Sequence, residues 1–189
     1  MGYEDMLLIT TSRRPTQHIR TLCNDLSRVL PNSLRINRGK LNFEGIIDKA
    51  LVVKADRLII IEKWKGGFGK IKLYTISPEV SRFYPIIYLS HVKTQNDLGF
   101  RKTIRKRLAI TIQQDTSKDI NRLAHALSKF IKLPIAHMQK DIPFQASIHF
   151  SNLKKCRIKI AITMPPILKE VGPILIVKKL LWDNFEKNK

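Results

Sequence analysis

The stretch LLITTSRRPTQHIRTLCNDLSRVL, Leu7–Leu30, decides the first part of the fold. Its apolar start predicts a buried strand over Met6–Thr10. Thr16 then offers a hydroxyl that suits the N-cap of a helix. Apolar residues recur at three- and four-residue spacing after this cap, which predicts an amphipathic helix over Gln17–Leu30 that ends at Pro31. A strand, a loop and a helix in this order open an α/β fold.

The following segments continue the α/β pattern. A basic segment over Leu34–Lys40 is expected to be extended, and a second amphipathic helix is expected from about Phe43 to Lys54. Arg57–Lys63 contains an apolar run that predicts a buried strand. The glycines of Lys65–Lys70 predict a hairpin turn and not a phosphate loop, because the last lysine is followed by Ile71 instead of serine or threonine.

An internal repeat occurs at an offset of 101 residues. The strand, the capping hydroxyl and the apolar stripe of the first helix recur without a gap, so that Thr16 corresponds to Ser117. Beyond this unit, the strand over Arg57–Ile61 is expected to have its counterpart in Arg157–Ile162.

The repeat predicts an α/β fold with two similar halves, at about residues 1–91 and 104–189. A strand over Tyr84–Thr94 is expected at the end of the first half. Each half is expected to hold a few strands with helices on one side. Sequence patterns leave open whether the two halves share one sheet.

The chain carries many more basic than acidic residues. Lys and Arg total 35 against 15 Asp and Glu in 189 residues, which gives a formal net charge of +20, and 43% of the residues are hydrophobic. The apolar fraction is enough for a packed core, and the charge favours nucleic acid or an anionic membrane surface as partner. No apolar run of about 18 residues could span a bilayer, and the first residues lack the order of a signal peptide. We therefore expect a soluble, cytoplasmic protein without a membrane partner.

The residue types that carry catalysis or bind metals are dispersed along the chain. The acidic residues lie apart, and no spacing typical of a serine hydrolase or a zinc protease occurs. Cys23 and Cys156 do not form a C-x-x-C pair, and the five histidines lack the spacing of metal ligands. We therefore expect no catalytic residue, no metal and no cofactor.

The loop between the first strand and the first helix is basic. It places Thr11, Ser12, Arg13 and Arg14 directly before the helix, and Pro15 stiffens it. Free backbone N–H groups, the positive end of the helix dipole, hydroxyls and guanidinium groups meet there, which is a set that binds an RNA phosphate. The alternative is a capping loop whose arginines are only solvated.

Two further basic segments are expected to enlarge this surface. In Leu34–Lys40 polar residues alternate with apolar residues or glycine, so an extended segment would present them on one face. These polar residues are Arg35, Asn37, Arg38 and Lys40. The densest run, RKTIRKR, is either a solvated hinge between the halves or a segment that binds phosphates. Its candidate contacts are Arg101, Lys102, Arg105, Lys106 and Arg107.

Aromatic side chains that could stack on exposed bases are few. The candidates are Phe43, Trp64, Phe68, Tyr74, Phe100 and Trp182. No paired aromatic motif of an RNA-recognition sheet occurs, so recognition of the RNA backbone and shape is expected to outweigh base readout.

Three segments, in this order, resemble the opening of the Brix domain family. They are ITTSRRPT (Ile9–Thr16), LPNSLRINRGK (Leu30–Lys40) and RLIIIEKWKG (Arg57–Gly66). The family begins with a strand, a T-S-R-x-P loop, an apolar helix that ends in a P-N turn, and an R-x-N-R-G segment. The resemblance implies a single Brix domain over residues 1–189, with two similar halves that each resemble the anticodon-binding domain of class IIa aminoacyl-tRNA synthetases.

The resemblance also implies a function. It implies a non-catalytic ribosome biogenesis factor that binds ribosomal RNA precursor and assists its processing and subunit assembly, with other ribosome assembly proteins as further partners. Two alternatives remain open. One is a protein-interaction adaptor in a ribonucleoprotein complex, and the other is an RNA-processing enzyme, which the dispersed acidic residues disfavour.

Overall fold

The computed structural model describes residues 5–76, 78–100, 107–136, 144–154, 157–165 and 167–183. Within these ranges the chain forms one nine-stranded sheet and three helices. In chain order the elements are β1 (Met6–Thr11), α1 (Gln17–Val29), β2 (Ser33–Arg35), α2 (Phe43–Val52), β3 (Ala55–Glu62), β4 (Gly69–Thr75), β5 (Ser81–Lys93), β6 (Leu108–Ile112), α3 (Lys118–Ile131), β7 (Ala146–Leu153), β8 (Arg157–Met164) and β9 (Lys169–Leu181). No helix in these ranges is long and apolar enough to cross a lipid bilayer.

A parallel arrangement of strands opens the sheet. β1 pairs in parallel with β2 on one side and with β3 on the other. α1 connects β1 to β2 on one face of the sheet, and α2 connects β2 to β3 on the opposite face. Because parallel strands point the same way, the carboxyl ends of β1 and β2 meet at one edge, beside the N-terminus of α1. Ligands of open α/β sheets bind at such an edge.

The same order of strand pairing occurs twice in the sheet. The spatial order is β2-β1-β3-β4-β5-β9-β8-β7-β6. β1 and β3 are parallel and are followed by antiparallel β4 and β5, while β6 and β7 are parallel and are followed by antiparallel β8 and β9. β5 and β9 pair with each other, so all the strands share one sheet. The predicted α/β class is confirmed.

The predicted N-caps of the two long helices are confirmed. The Thr16 hydroxyl accepts a hydrogen bond from the Ile19 N–H at 3.3 Å, and the Ser117 hydroxyl accepts one from the Ile120 N–H at 3.4 Å. Each cap satisfies one of the N–H groups that a helix start leaves without an intrahelical partner. α1 ends one residue earlier than predicted, because Leu30 has extended backbone angles of φ −72° and ψ 133°.

The main core lies between the sheet and the apolar faces of α1 and α3. Both helices and the inward-facing residues of the strands form one continuous cluster. A smaller cluster lies on the opposite face of the sheet, where Ile46 and Ala50 of α2 cover Leu8, Leu58 and Ile60. Each fully buried aliphatic side chain of this kind contributes about 1.5–3 kcal/mol to folding.

A buried arginine joins α3 to the first strands. Arg57 of β3 donates from Nη1 to the Phe130 carbonyl at 2.8 Å and from Nη2 to the Asp5 carbonyl at 2.9 Å. Its Nε donates to Asp56 at 3.0 Å, and Lys132 binds the same carboxylate at 2.8 Å. The last carbonyls of a helix lack intrahelical donors, so Arg57 satisfies one of them in α3. This arginine therefore stabilises the fold and is not part of an RNA-binding surface.

The prediction that Leu34–Lys40 is one extended segment is wrong at its end. The strand ladder stops at Arg35. The chain then turns at Gly39, whose φ of +56° suits glycine, and the Leu41 N–H bonds to the Arg38 carbonyl at 3.1 Å. The basic side chains of this segment therefore do not lie along one strand.

The expected counterpart of Arg57–Ile61 is also wrong. These residues lie in β3, which is the parallel neighbour of β1. The strand with that position beside β6 is β7, whereas Arg157–Ile162 lies in β8, which is antiparallel to β7. The offset changes because β2 and α2 lengthen the segment between α1 and β3.

Candidate nucleic-acid interface

Two parallel strand ends bring the predicted RNA-binding segments together. Thr11 ends β1 and Arg35 ends β2. The contact continues past β2, since the Ile36 N–H bonds to the Ile9 carbonyl and the Thr10 hydroxyl donates to the Ile36 carbonyl, both at 3.0 Å. The loop before α1 and the segment after β2 therefore leave the sheet side by side.

Arg13 and Arg38 converge on one backbone carbonyl. Arg13 Nε donates to the Leu41 carbonyl at 3.4 Å, and Arg38 Nε donates to it at 3.1 Å. Arg38 Nη1 also donates to the Thr11 carbonyl at 3.4 Å. The acceptors of these bonds are neutral, and neither guanidinium group forms an ion pair with a described residue. Two guanidinium groups from distant parts of the sequence thus lie within reach of one anion.

Arg35 lies on the inner side of the same site. Its Nη2 donates to Asn37 Oδ1 at 2.6 Å, while its Nε is buried and has no hydrogen-bond partner among the described residues. The guanidinium group also acts on the buried thiol of Cys23. Burial raises the pKa of that thiol to about 11, and Arg35 opposes the rise. The thiol is therefore protonated at neutral pH and is a poor nucleophile.

A surface pocket of about 370 Å³ opens between the loop before α1 and the segment after β2. We call it the arginine pocket, and its lining residues are Thr11, Ser12, Arg13, Pro15, Arg20, Arg35, Asn37, Arg38 and Gly39. Four of these residues are arginines and none is acidic. Among the described residues, none of the four arginines forms an ion pair. The pocket therefore presents positive charge with which no described carboxylate forms an ion pair.

Arg20 is a pocket residue that the sequence analysis missed. It lies in the second turn of α1, four residues after the Thr16 cap, and is exposed. Helical side chains point back towards the N-terminus, so an arginine at this position reaches the loop that precedes the helix. That rule, applied to the sequence, is the signal that could have found it.

The positive charges in the pocket oppose one another. Burial and the neighbouring charge of Arg13 lower the pKa of the Arg38 guanidinium, while the charge of Glu62 opposes this effect. An arginine keeps its proton at neutral pH even so. An anion in the pocket would relieve the repulsion between the two arginines, because it would place a negative charge between them.

Several predicted contact residues do not line the pocket. Arg14 and Lys40 are exposed on the two segments that border it. Arg107 is exposed at the start of β6, where its φ is +53°. The other predicted contacts, Arg101, Lys102, Arg105 and Lys106, lie outside the described residues. The pocket therefore combines two of the three predicted segments.

Metal-ligating side chains and cysteines are further reactive groups among the residues that the structure describes. Across the part of the chain that the structure describes, no group of three or more His, Cys, Asp or Glu side chains could hold a metal ion. Cys23 is buried, and Cys156 lies outside the described residues. The four arginines of the arginine pocket suit the binding of anions.

Comparison with known proteins gives the family relationship. The chain is 37% identical over 123 residues to a probable Brix domain-containing ribosomal biogenesis protein of Pyrococcus horikoshii, and the alignment covers 64% of this chain and 55% of that protein. The sequence of this chain is therefore similar to that of archaeal Brix domain proteins. A Brix protein of the same description from Thermococcus kodakarensis is 35% identical over 123 residues, which are 64% of this chain and 59% of that protein. The Brix resemblance expected from the three sequence segments is confirmed.

The alignment with the Brix relatives covers only part of each relative. The chain spans little more than half the length of the curated Brix relatives that it matches. No protein-family model matches the sequence.

Two solved archaeal structures share the fold over nearly the whole chain. A probable ribosomal biogenesis protein from Aeropyrum pernix K1 has a TM-score of 0.73 and 21% sequence identity, over 94% of this chain and 97% of that chain. Mil, an archaeal Imp4-like protein, has a TM-score of 0.64 and 15% identity, over 93% of this chain and 99% of that chain. At these identities the likeness shows the fold alone.

Proposed function

We propose that this chain is a non-catalytic ribosome biogenesis factor that binds ribosomal RNA precursor through the arginine pocket. The observation that carries the proposal is the set of four arginines at two adjoining strand ends, with no acidic residue in the lining. The net charge of +20 supports a polyanionic partner. The Brix relatives support the biological role, since they are described as ribosomal biogenesis proteins.

The chemistry of the pocket suits the RNA backbone. Guanidinium groups bind phosphate oxygens with two parallel hydrogen bonds, and the N-terminus of α1 adds the positive end of a helix dipole. An internal phosphate carries one negative charge, whereas the pocket carries four positive charges. We infer that the pocket accepts neighbouring phosphates of a bent RNA strand. The exposed side chains of Arg14 and Lys40 extend this contact.

The basic run Arg101–Arg107 is a further part of the proposed interface. Such a run supplies affinity that depends little on RNA sequence and strongly on salt. Substitution of its basic residues is therefore expected to lower the affinity for every RNA ligand by a similar factor. A loss confined to one RNA would contradict this part of the proposal.

We also propose that residues 1–189 form a single Brix domain of two similar halves, each related to the anticodon-binding domain of class IIa aminoacyl-tRNA synthetases. The repeated order of strand pairing and the matching caps of α1 and α3 support a duplication. The shared core supports one folding unit. We further propose that this unit acts in the cytoplasm, with its RNA partner. Urea unfolding followed by fluorescence and by circular dichroism should then give one coincident transition. Two separate transitions would contradict a single domain.

Binding of rRNA fragments across a salt series tests the proposed function. The variant Arg13→Gln/Arg20→Gln/Arg38→Gln should bind about a hundredfold more weakly than the wild type, with a salt slope smaller by about 0.7–0.9 for each lost phosphate contact.

A matched control removes three charges from exposed helix positions that do not line the arginine pocket. Lys49→Gln/Lys118→Gln/Lys129→Gln should bind nearly as the wild type does, because no described contact involves these side chains in the pocket. Equal losses in both variants would mean that net charge alone binds RNA. The RNA should also stay intact during incubation with Mg²⁺, and cleavage would contradict a non-catalytic role.

A second candidate function is a protein-interaction adaptor. It is favoured by the apolar surface of α2, where Phe43, Leu51 and Val52 are 37%, 57% and 81% exposed. The variant Leu51→Glu/Val52→Glu should then lose a protein partner from nuclease-treated pull-downs while its RNA affinity is unchanged. An unchanged set of partners would contradict this function.

A further inference from the structure

We propose that the sheet binds an unpaired segment of RNA at the junction of β5 and β9, on the face that lacks α1 and α3. We call this surface the stacking face, and its residues are Trp64, Lys70, Tyr88, Lys178 and Lys179. The inference rests on the proposed function in that RNA is the partner. The stacking face is a second site, separate from the arginine pocket, and it accepts unpaired RNA.

Strand register places Lys70, Tyr88 and Lys179 together, while Lys178 lies where the register of β5 and β9 shifts and has no paired residue in that ladder. Lys70 of β4 is paired with Tyr88 of β5, and Tyr88 is paired with Lys179 of β9. Side chains alternate between the two faces of a strand. Ile87 and Leu89 point into the main core, so Tyr88 and its paired lysines point to the opposite face.

None of the three described helices packs on the opposite face at this junction. α1 and α3 pack on the core side of the sheet. α2 packs on the other side, but it covers Leu8, Leu58, Ile60 and Tyr74, which belong to β1, β3 and β4. Within the described ranges, no helix therefore covers β5 and β9 on the side of the stacking face.

The aromatic pair is held in one orientation. The ring centroids of Trp64 and Tyr88 are 4.9 Å apart at an interplanar angle of 70°. Lys178 Nζ lies 5.3 Å from the Trp64 ring centroid and donates to the Gly66 carbonyl at 3.2 Å. A Cβ at Gly66 would collide with the indole ring, so the glycine of this hairpin turn lets the ring pack against the backbone. A surface with fixed aromatic rings loses little conformational entropy when it binds a base.

The lysines give the stacking face a positive charge. Lys178 and Lys179 are exposed and form no ion pair within the described part of the chain. Lys70 shares the Glu62 carboxylate with Lys72, at 3.3 Å and 3.0 Å, so that one negative charge faces two positive charges. The face is therefore complementary to a phosphate backbone.

Aromatic rings next to lysines favour unpaired RNA over a duplex. Proteins bind single strands by stacking bases on aromatic side chains while basic groups follow the backbone. A duplex hides the faces of its bases within the helix, so it offers only phosphates and hydroxyls to this surface. The arginine pocket needs only phosphates and can accept either form. The stacking face therefore distinguishes unpaired RNA from duplex RNA, whereas the arginine pocket does not.

Tryptophan fluorescence can locate the bound RNA. The chain has two tryptophans, so Trp182→Phe leaves Trp64 as the sole reporter and Trp64→Phe leaves Trp182. Trp182 stacks on Arg122 of α3, on the core side of the sheet, with the guanidinium carbon 3.9 Å from the ring centroid. Oligouridine of about 12 nucleotides should quench Trp64 and leave Trp182 unchanged. Equal quenching of both, or of Trp182 alone, would overturn the inference.

Substitutions then test the contribution of each part. Tyr88→Leu should bind oligouridine about tenfold more weakly, because the base loses its stacking partner, while Tyr88→Phe should bind as the wild type does. Lys178→Gln/Lys179→Gln should also weaken oligouridine binding, and Lys118→Gln/Lys129→Gln is its matched control. This lysine pair is exposed, so it decides the question if Tyr88→Leu does not fold. Unchanged binding by the folded variants would contradict the stacking face.

Failure of the stacking face is distinguishable from failure of the arginine pocket. A duplex RNA probe should bind Tyr88→Leu normally and arginine-pocket variants weakly, because a duplex does not stack its bases on Tyr88. If only the stacking-face variants lose oligouridine and no variant loses the duplex, the arginine pocket is not the RNA site and the stacking face stands. If only the arginine-pocket variants lose RNA of either form, the stacking face is wrong and the proposed function stands.

Discussion

The loops that precede α1 and α3 have the same backbone role and different chemistry. The Ser12 N–H bonds to the Ile61 carbonyl and the Gln113 N–H bonds to the Phe150 carbonyl, both at 2.9 Å. A hydroxyl residue then caps each helix. At the offset of 101 residues, however, three arginines of the first loop and helix correspond in sequence to shorter residues of the second unit that are uncharged or acidic. The pairs are Arg13 and Gln114, Arg14 and Asp115, and Arg20 and Asn121.

The second loop uses its polar groups within the protein. Gln113 Oε1 accepts a hydrogen bond from the Asn152 N–H at 3.2 Å, and Asn152 Nδ2 donates to the Asp115 carbonyl at 3.3 Å. The first loop instead opens onto the arginine pocket. The same strand-loop-helix unit can therefore either use the polar groups of its loop in internal hydrogen bonds or present an anion site. The difference comes from loop side chains that the fold does not require.

Placing the second loop's residues in the first is expected to have the largest effect. Arg13→Gln/Arg14→Asp/Arg20→Asn should weaken rRNA binding about a hundredfold, since three charge-assisted contacts of about 1 kcal/mol each are lost. The free energy of unfolding in urea should change by less than about 0.5 kcal/mol, because the replaced side chains lie at the surface. Wild-type affinity in this variant would contradict the conclusion that the arginines of the first loop form the anion site.

The two caps should make equal contributions to stability. Thr16→Ala and Ser117→Ala should each lower the free energy of unfolding by about 1 kcal/mol, because each leaves one helix N–H without its acceptor. Urea denaturation measures both changes. Ser117→Ala should leave RNA affinity unchanged, and a loss of affinity as large as that of the arginine variant would show that the second loop binds RNA too.

The reverse exchange should have a smaller effect. Gln114→Arg/Asp115→Arg/Asn121→Arg is expected to raise RNA affinity by only about threefold, the gain of general charge attraction. The described residues beside this loop hold no counterpart of Arg35 and Arg38 from β2 and the turn that follows it. A gain of a hundredfold would show that the loop residues alone make an anion site.

Glu62 allows the smallest and finest test. Burial alone would raise the pKa of its carboxyl, but hydrogen bonds and charges from Lys72 and Lys70 lower it below the ordinary value of 4.5. A lowered folded pKa means that Glu62 stabilises the protein above its unfolded pKa and loses this effect as the pH falls through the folded pKa. Glu62→Gln should therefore lower the free energy of unfolding by about 0.5 kcal/mol at neutral pH. Denaturation curves in strong acid should show no difference between variant and wild type.

The same substitution sharpens the comparison of the two loops. Glu62 is the carboxylate whose charge acts on Arg38. Glu62→Gln is expected to raise RNA affinity at neutral pH by about twofold, because it removes a weak opposing charge near the arginine pocket. Weaker RNA binding would show instead that Glu62 positions Arg38.

Local signals in the sequence predicted much of the fold. The caps at Thr16 and Ser117 and the apolar spacing of the helices depend on residues three or four positions apart, so they are readable without tertiary contacts. The basic loop with Arg13 was readable for the same reason. The strand ending at Arg35 was predicted too long, because the turn at Gly39 depends on backbone contacts with Arg38 and Leu41.

Contacts between distant residues could not be read in this way. Arg20 joins the site only because α1 begins beside the carboxyl ends of β1 and β2. The choice of β7 as the parallel neighbour of β6 follows from strand pairing, whereas sequence matching favoured β8. Strand patterns show which residues share a face, but they do not name the strand that lies next to them.

Local spacing along the chain and long-range strand pairing therefore determine different parts of this protein. Spacing along the chain was sufficient for the strand-loop-helix units, their caps and the basic character of the first loop, since these arise from neighbours in sequence. Only the parallel pairing of β1 with β2 brought Arg13, Arg20, Arg35 and Arg38 into one pocket, and only the pairing of β5 with β9 formed the stacking face. Long-range hydrogen bonding and burial decide such pairings, because their free energy depends on the whole sheet and its two faces.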